Sequence, residues 1–301
     1  MGLFANTKKM EKLLLLRWKN KVDLIFLILE KQYFFVKYKK NNKKQMRKSQ
    51  LSKNPRLPQM YGSGIFQIEI KSEKGEELQK VTVQYIILDY FEQTLNQYYK
   101  LKVDQFGIES QIQVLEEVVN LIKSLHAFNY IHNDIKPDNF MVKNSKSENE
   151  NHIYLIDFGS IDQFKQEYFD DMKKVMLKGT PFTASIHTMK GLYSCQGDDL
   201  ISALYSLLIL SIGQKIPWHD LCLQFDLAKR KYQFYDLIHD EKVKLKPDLN
   251  IYGKFENALI NQIKILEKLR FEEPLKYTIQ IDYDSIIQEV KSDCRKVIIK
   301  K

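Results

Sequence analysis

The sequence predicts an α+β fold with a small, β-rich amino-terminal lobe and a larger, mainly helical carboxy-terminal lobe. Short runs of β-branched, aromatic and leucine residues recur through the first 90 residues. Beyond residue 108 the apolar positions recur at helical spacing instead. The chain has 301 residues, of which 44% are hydrophobic, so it can bury a sizeable core. We expect residues 1–90 to form the small lobe and residues 91–301 the large one.

The small lobe is predicted to contain strands at 13–18, 22–29, 33–38, 65–71 and 81–88. Short polar breaks separate the first three strands, which is typical of a three-strand meander. A basic segment closed by Pro55 and Pro58 follows them and is expected to contain one short helix. The turn-like sequence SEKGEE joins the last two strands.

The large lobe is predicted to begin with an amphipathic helix over residues 108–128. Its apolar residues follow the i, i+3, i+4, i+7 pattern at Ile112, Leu115, Val118, Val119, Ile122 and Leu125. The helix is expected to end near Tyr130 and to lead into a loop over residues 132–139. A polar stretch at 143–151 predicts the loop of a hairpin, and a strand at 153–156 follows it.

The net charge of +9 is unevenly distributed along the chain. No acidic residue occurs between Glu30 and Glu69, while Lys and Arg crowd residues 37–56. This basic segment has two interpretations: a solvated helix face, or a docking surface for acidic or phosphorylated protein. No recognised nucleic-acid-binding motif accompanies the charge, so nucleic acid is the weaker candidate partner.

The cysteines and the apolar runs bear on the compartment. Cys195, Cys222 and Cys294 are widely separated, which argues against a disulfide framework and against a structural zinc site. The longest apolar runs are shorter than the roughly 20 residues of a membrane span, so no span is predicted. We expect an intracellular protein of the cytoplasm, with association to the cytoskeleton or to a larger complex as the alternative.

The stretch YIHNDIKPDNF at 130–140 carries the candidate chemistry. Phosphoryl transfer needs a carboxylate for the attacking hydroxyl, a cation near the phosphoryl group and hard oxygen ligands for Mg²⁺. Asp134, Lys136, Asn139 and Asp157 supply that set. The pattern H-x-D-x-K-x-x-N followed by D-F-G is the protein-kinase signature.

Four further motifs resemble the casein kinase I family of serine/threonine protein kinases. They are GTPFTASIH at 179–187, QGDDLISALYSLL at 196–208, GQKIPW at 213–218 and LRFEEP at 269–274. The first of these motifs, GTPFTASIH, stands where most kinases have Ala-Pro-Glu. The resemblance is specific over the carboxy-terminal two thirds of the chain and looser before it, and it implies a bilobal protein-kinase fold.

The resemblance implies a role for each matching residue. Asp134 would be the catalytic base and Lys136 the phosphate-facing cation, while Asn139 and Asp157 would bind Mg²⁺. The activation segment and its supports would comprise Phe158, Gly159, Gly179, Thr180 and Asp199. ATP would be held by Lys37 at its α and β phosphates and by Leu88, Asp89 and Tyr90 at adenine. For Lys37, a surface lysine on an edge strand is the alternative.

Two departures from the kinase pattern concern the nucleotide. Kinases cover the ATP phosphates with a glycine-rich hairpin, yet no glycine occurs between Gly2 and Gly62. The third-strand lysine normally pairs with a helix glutamate, yet no Asp or Glu lies between Lys37 and Glu69. Gln45 stands near the expected place and would give a weaker hydrogen bond.

Two other departures concern regulation and substrate. Asn133 replaces the usual arginine before Asp134, so we expect an activation-loop contact to be lost. Phe182 stands where the family has an anion-binding arginine. A second basic element of that surface would be formed by Lys229, Arg230 and Lys231. Protein substrates with acidic or phosphorylated sites therefore remain one of the alternatives.

Three functions stay open at this point. The first is a Mg-ATP-dependent kinase with weakened nucleotide binding, which the four chemical residues support. The second is a pseudokinase that serves as a scaffold or docking subunit of a larger protein assembly, which the departures around the nucleotide support. The third is a nucleotide-binding sensor that transfers no phosphate.

Overall fold

The computed structural model describes residues 12–15, 24–29, 32–37, 57–58, 60–71, 78–89, 91–102, 107–143, 152–172, 174–227 and 232–296. The chain divides into two compact units, Met1–Glu92 and Gln93–Lys301. Each unit is described by itself below.

The first unit contains an antiparallel sheet of the strands β1 (Lys12–Leu15), β2 (Leu24–Leu29), β3 (Gln32–Lys37), β4 (Met60–Lys71) and β5 (Leu78–Leu88). Their order in the sheet is β1-β2-β3-β5-β4. The predicted meander is confirmed, because β2 pairs antiparallel with both β1 and β3. Strand β4 begins five residues before the predicted 65–71, and its pairing with β5 has an irregularity between Met60 and Gly62.

Two predicted features of the first unit lie outside the described residues: the turn at 72–77 and the short helix of the basic segment. The antiparallel pairing of β4 with β5 over their whole length shows that the two strands form a hairpin. The backbone of Lys37 ends β3, opposite Leu24 of β2.

Long helices form the core of the second unit. They are α2 (Ile108–His126), α5 (Gln196–Ile212), α8 (Lys254–Glu272) and α10 (Tyr283–Arg295). Helices α5 and α10 each pack against both α2 and α8. Every residue of α5 from Gln196 to Leu208 is buried, which places this helix at the centre of the packing. Each fully buried aliphatic side chain there contributes about 1.5–3 kcal/mol to stability.

The periodicity of helix α2 is confirmed, while its predicted end is wrong. The six apolar residues predicted to share one face are all buried. The helix ends at His126, before the predicted 128, because Asn129 has a left-handed backbone with a φ of 60°. Strand β7 (Tyr130–Ile131) follows and pairs with β10 (Asp162–Gln163).

Shorter elements complete the second unit. Strands β6 (Gln93–Thr94), β8 (Phe140–Lys143) and β9 (His152–Leu155) form an antiparallel sheet, in which β8 and β9 are the arms of the predicted hairpin. The remaining helices are α1 (Leu95–Lys102), α3 (Gln166–Asp170), α4 (Ile186–Met189), α6 (His219–Leu227), α7 (Tyr232–Lys244) and α9 (Pro274–Tyr277). Within the described part of the chain, no helix combines the length and the apolar character that crossing a bilayer requires.

Candidate active site

A buried carboxylate, that of Asp199, binds the start of the loop at 132–139. Asp199 lies in the first turn of α5 and is 2% exposed. Its Oδ2 accepts a hydrogen bond from the backbone N–H of His132 at 2.6 Å, and its Oδ1 accepts one from Asn133 at 2.9 Å. Charge-assisted bonds of this kind are about twice as strong as neutral ones, so the start of the loop is firmly placed.

A second buried side chain, His132, joins this loop to the strand end that precedes Asp157. Its Nε2 donates to the carbonyl oxygen of Ile156 at 3.0 Å, and its ring meets the edge of Phe158 at 5.4 Å between centroids. Burial lowers the pKa of His132, so the imidazole is neutral at physiological pH. Because a carbonyl only accepts, Nε2 carries the proton of the neutral ring.

The carboxylate of Asp134 is fixed by two donors. Its Oδ2 accepts from Nζ of Lys136 at 2.9 Å, and its Oδ1 accepts from Oγ1 of Thr180 at 2.9 Å. Nζ of Lys136 also lies 3.3 Å from Oγ1 of Thr180, which closes a triangle of three side chains. A carboxylate has about four acceptor positions, so Asp134 retains capacity for a further hydroxyl.

The segment 179–185 packs directly onto this loop. Gly179 has a φ of 84°, and a Cβ added there would lie 2.2 Å from the carbonyl oxygen of Asn133. Glycine is therefore required both by the backbone conformation and by the close approach. Four residues later, Oγ1 of Thr183 donates to the carbonyl oxygen of Ile135 at 2.6 Å. These contacts fix Thr180 beside Asp134.

Asn139 and Asp157 offer the oxygen atoms that Mg²⁺ prefers. Nδ2 of Asn139 donates to the carbonyl oxygen of Asp134 at 2.7 Å, which leaves its amide oxygen as an acceptor. The carbonyl oxygen of Asn139 accepts from the N–H of Ile156 at 2.9 Å, next to Asp157. Oδ1 of Asp157 accepts from the N–H of Gly159 at 3.3 Å, and the Asp157 backbone is left-handed, with a φ of 61°. One carboxylate and one amide oxygen fit a magnesium ion that takes its other ligands from phosphate and water.

Asn133 contacts the chain just after the D-F-G turn. Its Nδ2 donates to the carbonyl oxygen of Ser160 at 2.8 Å and lies 3.3 Å from Oδ2 of Asp162. Asp162 also forms an ion pair with Lys178. The backbone of Asn133 is left-handed, with a φ of 66°. That the replacement of arginine by Asn133 removes an activation-loop contact, and with it regulation by loop phosphorylation, stays a prediction.

Several predicted site residues belong to the first unit or fall outside the described residues. Lys37 and Leu88 end β3 and β5 in the first unit, and Oδ1 of Asp89 accepts from the hydroxyl of Tyr61 at 3.1 Å. Tyr90, Lys229, Arg230 and Lys231 fall outside the described residues. Phe182 is half-buried, and its ring meets that of His219 at 6.1 Å between centroids.

A buried ionic network near α5 was not predicted from the sequence, although its two charged members, Asp198 and Arg270, lie in the quoted motifs. Asp198 accepts hydrogen bonds from Nη1 of Arg270 at 2.8 Å, from the Tyr277 hydroxyl at 2.8 Å and from the N–H of Cys195 at 3.0 Å. Burial is the largest single effect on the pKa of Asp198 and raises it, but the Arg270 guanidinium, His187 and the hydrogen bonds from Ser185 and Tyr277 together hold that pKa below its ordinary value. Asp198 and Arg270 are 72 positions apart, so no local pattern pairs them.

Lys242 is another residue that sequence reasoning missed. It lies in α7 and is fully buried. Its Nζ donates to the carbonyl oxygens of Pro181 and Ala184, which belong to the same segment as Thr180. Nothing in the local sequence, which is rich in charged residues, distinguishes Lys242 from its exposed neighbours.

These contacts assemble a loop with a fixed aspartate, a neighbouring lysine and an asparagine next to a D-F-G turn. A comparison with known families agrees with this site: the family model described as "Protein kinase domain" matches residues 27–184, just over half of the chain. The chain therefore belongs to the protein kinase family.

Proposed function

We propose that this chain is a Mg-ATP-dependent serine/threonine kinase of the casein kinase I type that transfers the γ-phosphate of ATP to protein substrates. The observation that carries the proposal is the geometry of Asp134, whose two carboxylate oxygens bind Thr180 and Lys136 at 2.9 Å each. This arrangement holds the carboxylate in one orientation while leaving acceptor positions for a substrate hydroxyl.

Each residue of the loop has a distinct part in this proposal. Asp134 orients the attacking hydroxyl and accepts its proton, and Lys136 places positive charge where the transferring phosphoryl group becomes more negative. Thr180 joins Asp134 to the segment that receives the substrate. Asp199 and His132 keep the loop in place from its buried side.

In the proposal, residues 1–90 act as the small lobe and residues 91–301 as the large one. Lys37 is assigned to the α and β phosphates, and the backbone around Leu88, Asp89 and Tyr90 to adenine. Asn139 and Asp157 are assigned to Mg²⁺, which supplies charge neutralisation at the phosphates when bound. Without a glycine-rich hairpin, the affinity for ATP is expected to be weak.

The choice of casein kinase I within the protein kinases rests on the four motifs between residues 179 and 274. Preference for acidic or phosphorylated substrates would depend on Lys229, Arg230 and Lys231. Phe182 argues against a strong preference, because an apolar ring replaces the family's arginine and packs against His219.

A second function, a pseudokinase scaffold in a larger protein assembly, is favoured by a specific observation. The chain lacks both the glycine hairpin and the helix glutamate, so it lacks two devices that position ATP. The fold would then serve as a docking platform, with the basic segment as one surface for an acidic partner.

Labelled ATP separates these functions. Purified wild-type chain is incubated with Mg²⁺, labelled ATP and casein or an acidic peptide, beside Asp134→Asn and Asp138→Asn. Asp138 is the matched control, because it is exposed in the same loop and its carboxylate accepts a hydrogen bond from the exposed side chain of Asn96 at 3.1 Å. We expect Asp134→Asn to lose at least about 100-fold in rate and Asp138→Asn to keep the wild-type rate.

Equal incorporation by wild type and Asp134→Asn contradicts the kinase proposal. A thermal-shift titration with Mg-ATP then distinguishes the remaining functions, because a ligand bound only to the folded state raises the melting temperature. A shift without transfer supports a nucleotide-binding sensor, and the absence of any shift at millimolar Mg-ATP supports the scaffold.

A further inference from the structure

The backbone of the segment 180–184, which carries Thr180, is held by hydrogen bonds to its carbonyl groups. Nζ of Lys242 donates to the carbonyl oxygen of Pro181 at 2.7 Å and to that of Ala184 at 2.5 Å. Nε1 of Trp218 donates to the carbonyl oxygen of Phe182 at 2.9 Å. Two side chains, one from α7 and one from the turn before α6, thus fix three of the five carbonyls of this short segment.

The surroundings of Lys242 are built for a cation. Its Nζ lies 4.7 Å from the ring centroid of Tyr205 and 5.2 Å from that of Trp218, within the range of cation–π attraction. Carbonyl oxygens and aromatic faces both favour an ammonium group. Burial nevertheless lowers the pKa of Lys242 to about 7, against smaller opposite effects of Cys222 and Glu267.

Burying a lysine has a desolvation cost that an apolar side chain of similar volume does not have. Replacing buried charged groups by apolar groups of similar volume is often neutral or stabilising, so stability alone does not explain Lys242. A methionine would occupy the same volume without any desolvation cost, but it could not donate hydrogen bonds to Pro181 and Ala184. The specific result of having lysine here is the alignment of those two carbonyl groups.

The aligned segment in turn contacts the 132–139 loop at two points. Thr180 donates to Asp134, and Thr183 donates to the carbonyl oxygen of Ile135 at 2.6 Å. Displacement of the segment would therefore withdraw one of the two donors that orient the Asp134 carboxylate. Within the described part of the chain, the hydrogen bonds of Nζ of Lys242 go to Pro181 and Ala184 and not to Asp134 or Thr180, so Lys242 acts through the segment.

We propose that Lys242, together with Trp218, is a positioning residue that fixes the segment 180–184 for the protein substrate. This proposal rests on the proposed kinase function for its consequence in catalysis, while the structural part can be tested without catalysis. Loss of Lys242 is expected to free the segment locally and to leave the remainder of the second unit folded.

Amide hydrogen exchange tests the local effect. The amides of Thr183 and Ala184 both donate to the carbonyl oxygen of Thr180, at 3.2 and 3.1 Å, so their protection reports the order of the segment. We expect Lys242→Met to accelerate their exchange at least about tenfold while α2 and α5 keep wild-type protection. The control is Lys244→Met, two positions along the same helix, where Lys244 is exposed and pairs only with Glu241 among the described residues.

Trp218→Phe provides an independent variant in case Lys242→Met does not fold. It keeps an aromatic ring beside Tyr205 but removes the donor to Phe182, and it should accelerate the same amides to a smaller extent. Unchanged exchange of Thr183 and Ala184 in a folded Lys242→Met or Trp218→Phe protein would overturn the proposal. Uniform acceleration across the second unit would overturn it too, because that pattern indicates general destabilisation.

Steady-state kinetics adds a second readout. In Lys242→Met the KM for the peptide should rise at least about fivefold, whereas the KM for ATP should stay at the wild-type value. An equal rise in both constants contradicts a role confined to the protein substrate. If wild type and Asp134→Asn transfer no phosphate at all, the kinase proposal fails, while the exchange experiment still decides whether Lys242 positions the segment.

Discussion

Gly179 lies so close to Asn133 that a Cβ at residue 179 would stand 2.2 Å from the Asn133 carbonyl oxygen. Gly179→Ala must therefore displace backbone rather than a flexible side chain. The left-handed φ of 84° adds strain of about 1–3 kcal/mol. We expect a loss of stability in this range, measured by urea denaturation, together with at least a tenfold loss of phosphoryl transfer.

Gly213→Ala separates the two causes. Gly213 also has a positive φ, of 58°, but nothing lies within 4 Å of the position of its Cβ. This control should lose stability through backbone strain and keep the transfer rate per folded molecule. Equal loss of transfer in both variants would show that the approach of Gly179 to Asn133 does not matter for the site.

Features whose residues lie close together in the chain are encoded in local sequence patterns. Helix α2 was predictable, because its buried face repeats at helical spacing within one stretch of chain. The 132–139 loop was recognisable as a motif, since the protein-kinase signature places particular residue types at fixed spacing. The residue at which helix α2 ends was not predictable in this way, because it depends on the left-handed conformation of Asn129.

Contacts between residues that are far apart in the chain could not be predicted from one sequence. The spacing of Asp198 and Arg270 reflects how α5 and α8 pack, and no local pattern records it. Lys242 likewise stands in a highly charged stretch that predicts exposure, yet it is 0% exposed. The ion pair of Asp198 with Arg270 and the burial of Lys242 both depend on how the helices pack together.

Removing Arg270 should be one of the most destabilising changes in the second unit. Arg270→Met would leave the fully buried carboxylate of Asp198 without its guanidinium partner, at a cost of about 3–5 kcal/mol. Urea denaturation measures this loss. Lys123→Met is the control, because Lys123 pairs with Asp284 at the exposed surface, where an ion pair contributes about 0–1 kcal/mol.

A double variant tests the cause of that loss. Asp198→Asn combined with Arg270→Met removes the buried charge together with its partner, so it should be more stable than Arg270→Met alone. If the double variant is instead less stable by the sum of both single losses, the unpaired charge of Asp198 is not the cause.

Phe182→Arg tests whether this position governs substrate choice. An arginine there would offer a charge-assisted hydrogen bond to an acidic or phosphorylated residue of the substrate, where Phe182 offers an apolar ring. We expect the ratio of kcat/KM for an acidic peptide to that for its neutral counterpart to rise about tenfold, which corresponds to about 1.4 kcal/mol. Phe182→Leu is the control and should leave the ratio unchanged. An unchanged ratio in Phe182→Arg as well would mean that residue 182 does not face the charged part of the substrate.

The buried ammonium of Lys242 predicts a specific dependence of stability on pH. Burial lowers its pKa to about 7 in the folded chain, against 10.5 for an ordinary lysine. Between these two values the unfolded chain binds one proton more than the folded chain, so the free energy of unfolding rises with pH. Relative to Lys242→Met, wild type should therefore gain stability from pH 7 to pH 9.5, with a slope approaching about 1.4 kcal/mol per pH unit. Urea denaturation of both proteins at several pH values measures this difference, in which the other titrating groups cancel.

Parallel curves of unfolding free energy against pH for the two proteins would show that Lys242 keeps its proton throughout. Pro181, Ala184 and the aromatic rings would then stabilise the ammonium more strongly than burial destabilises it.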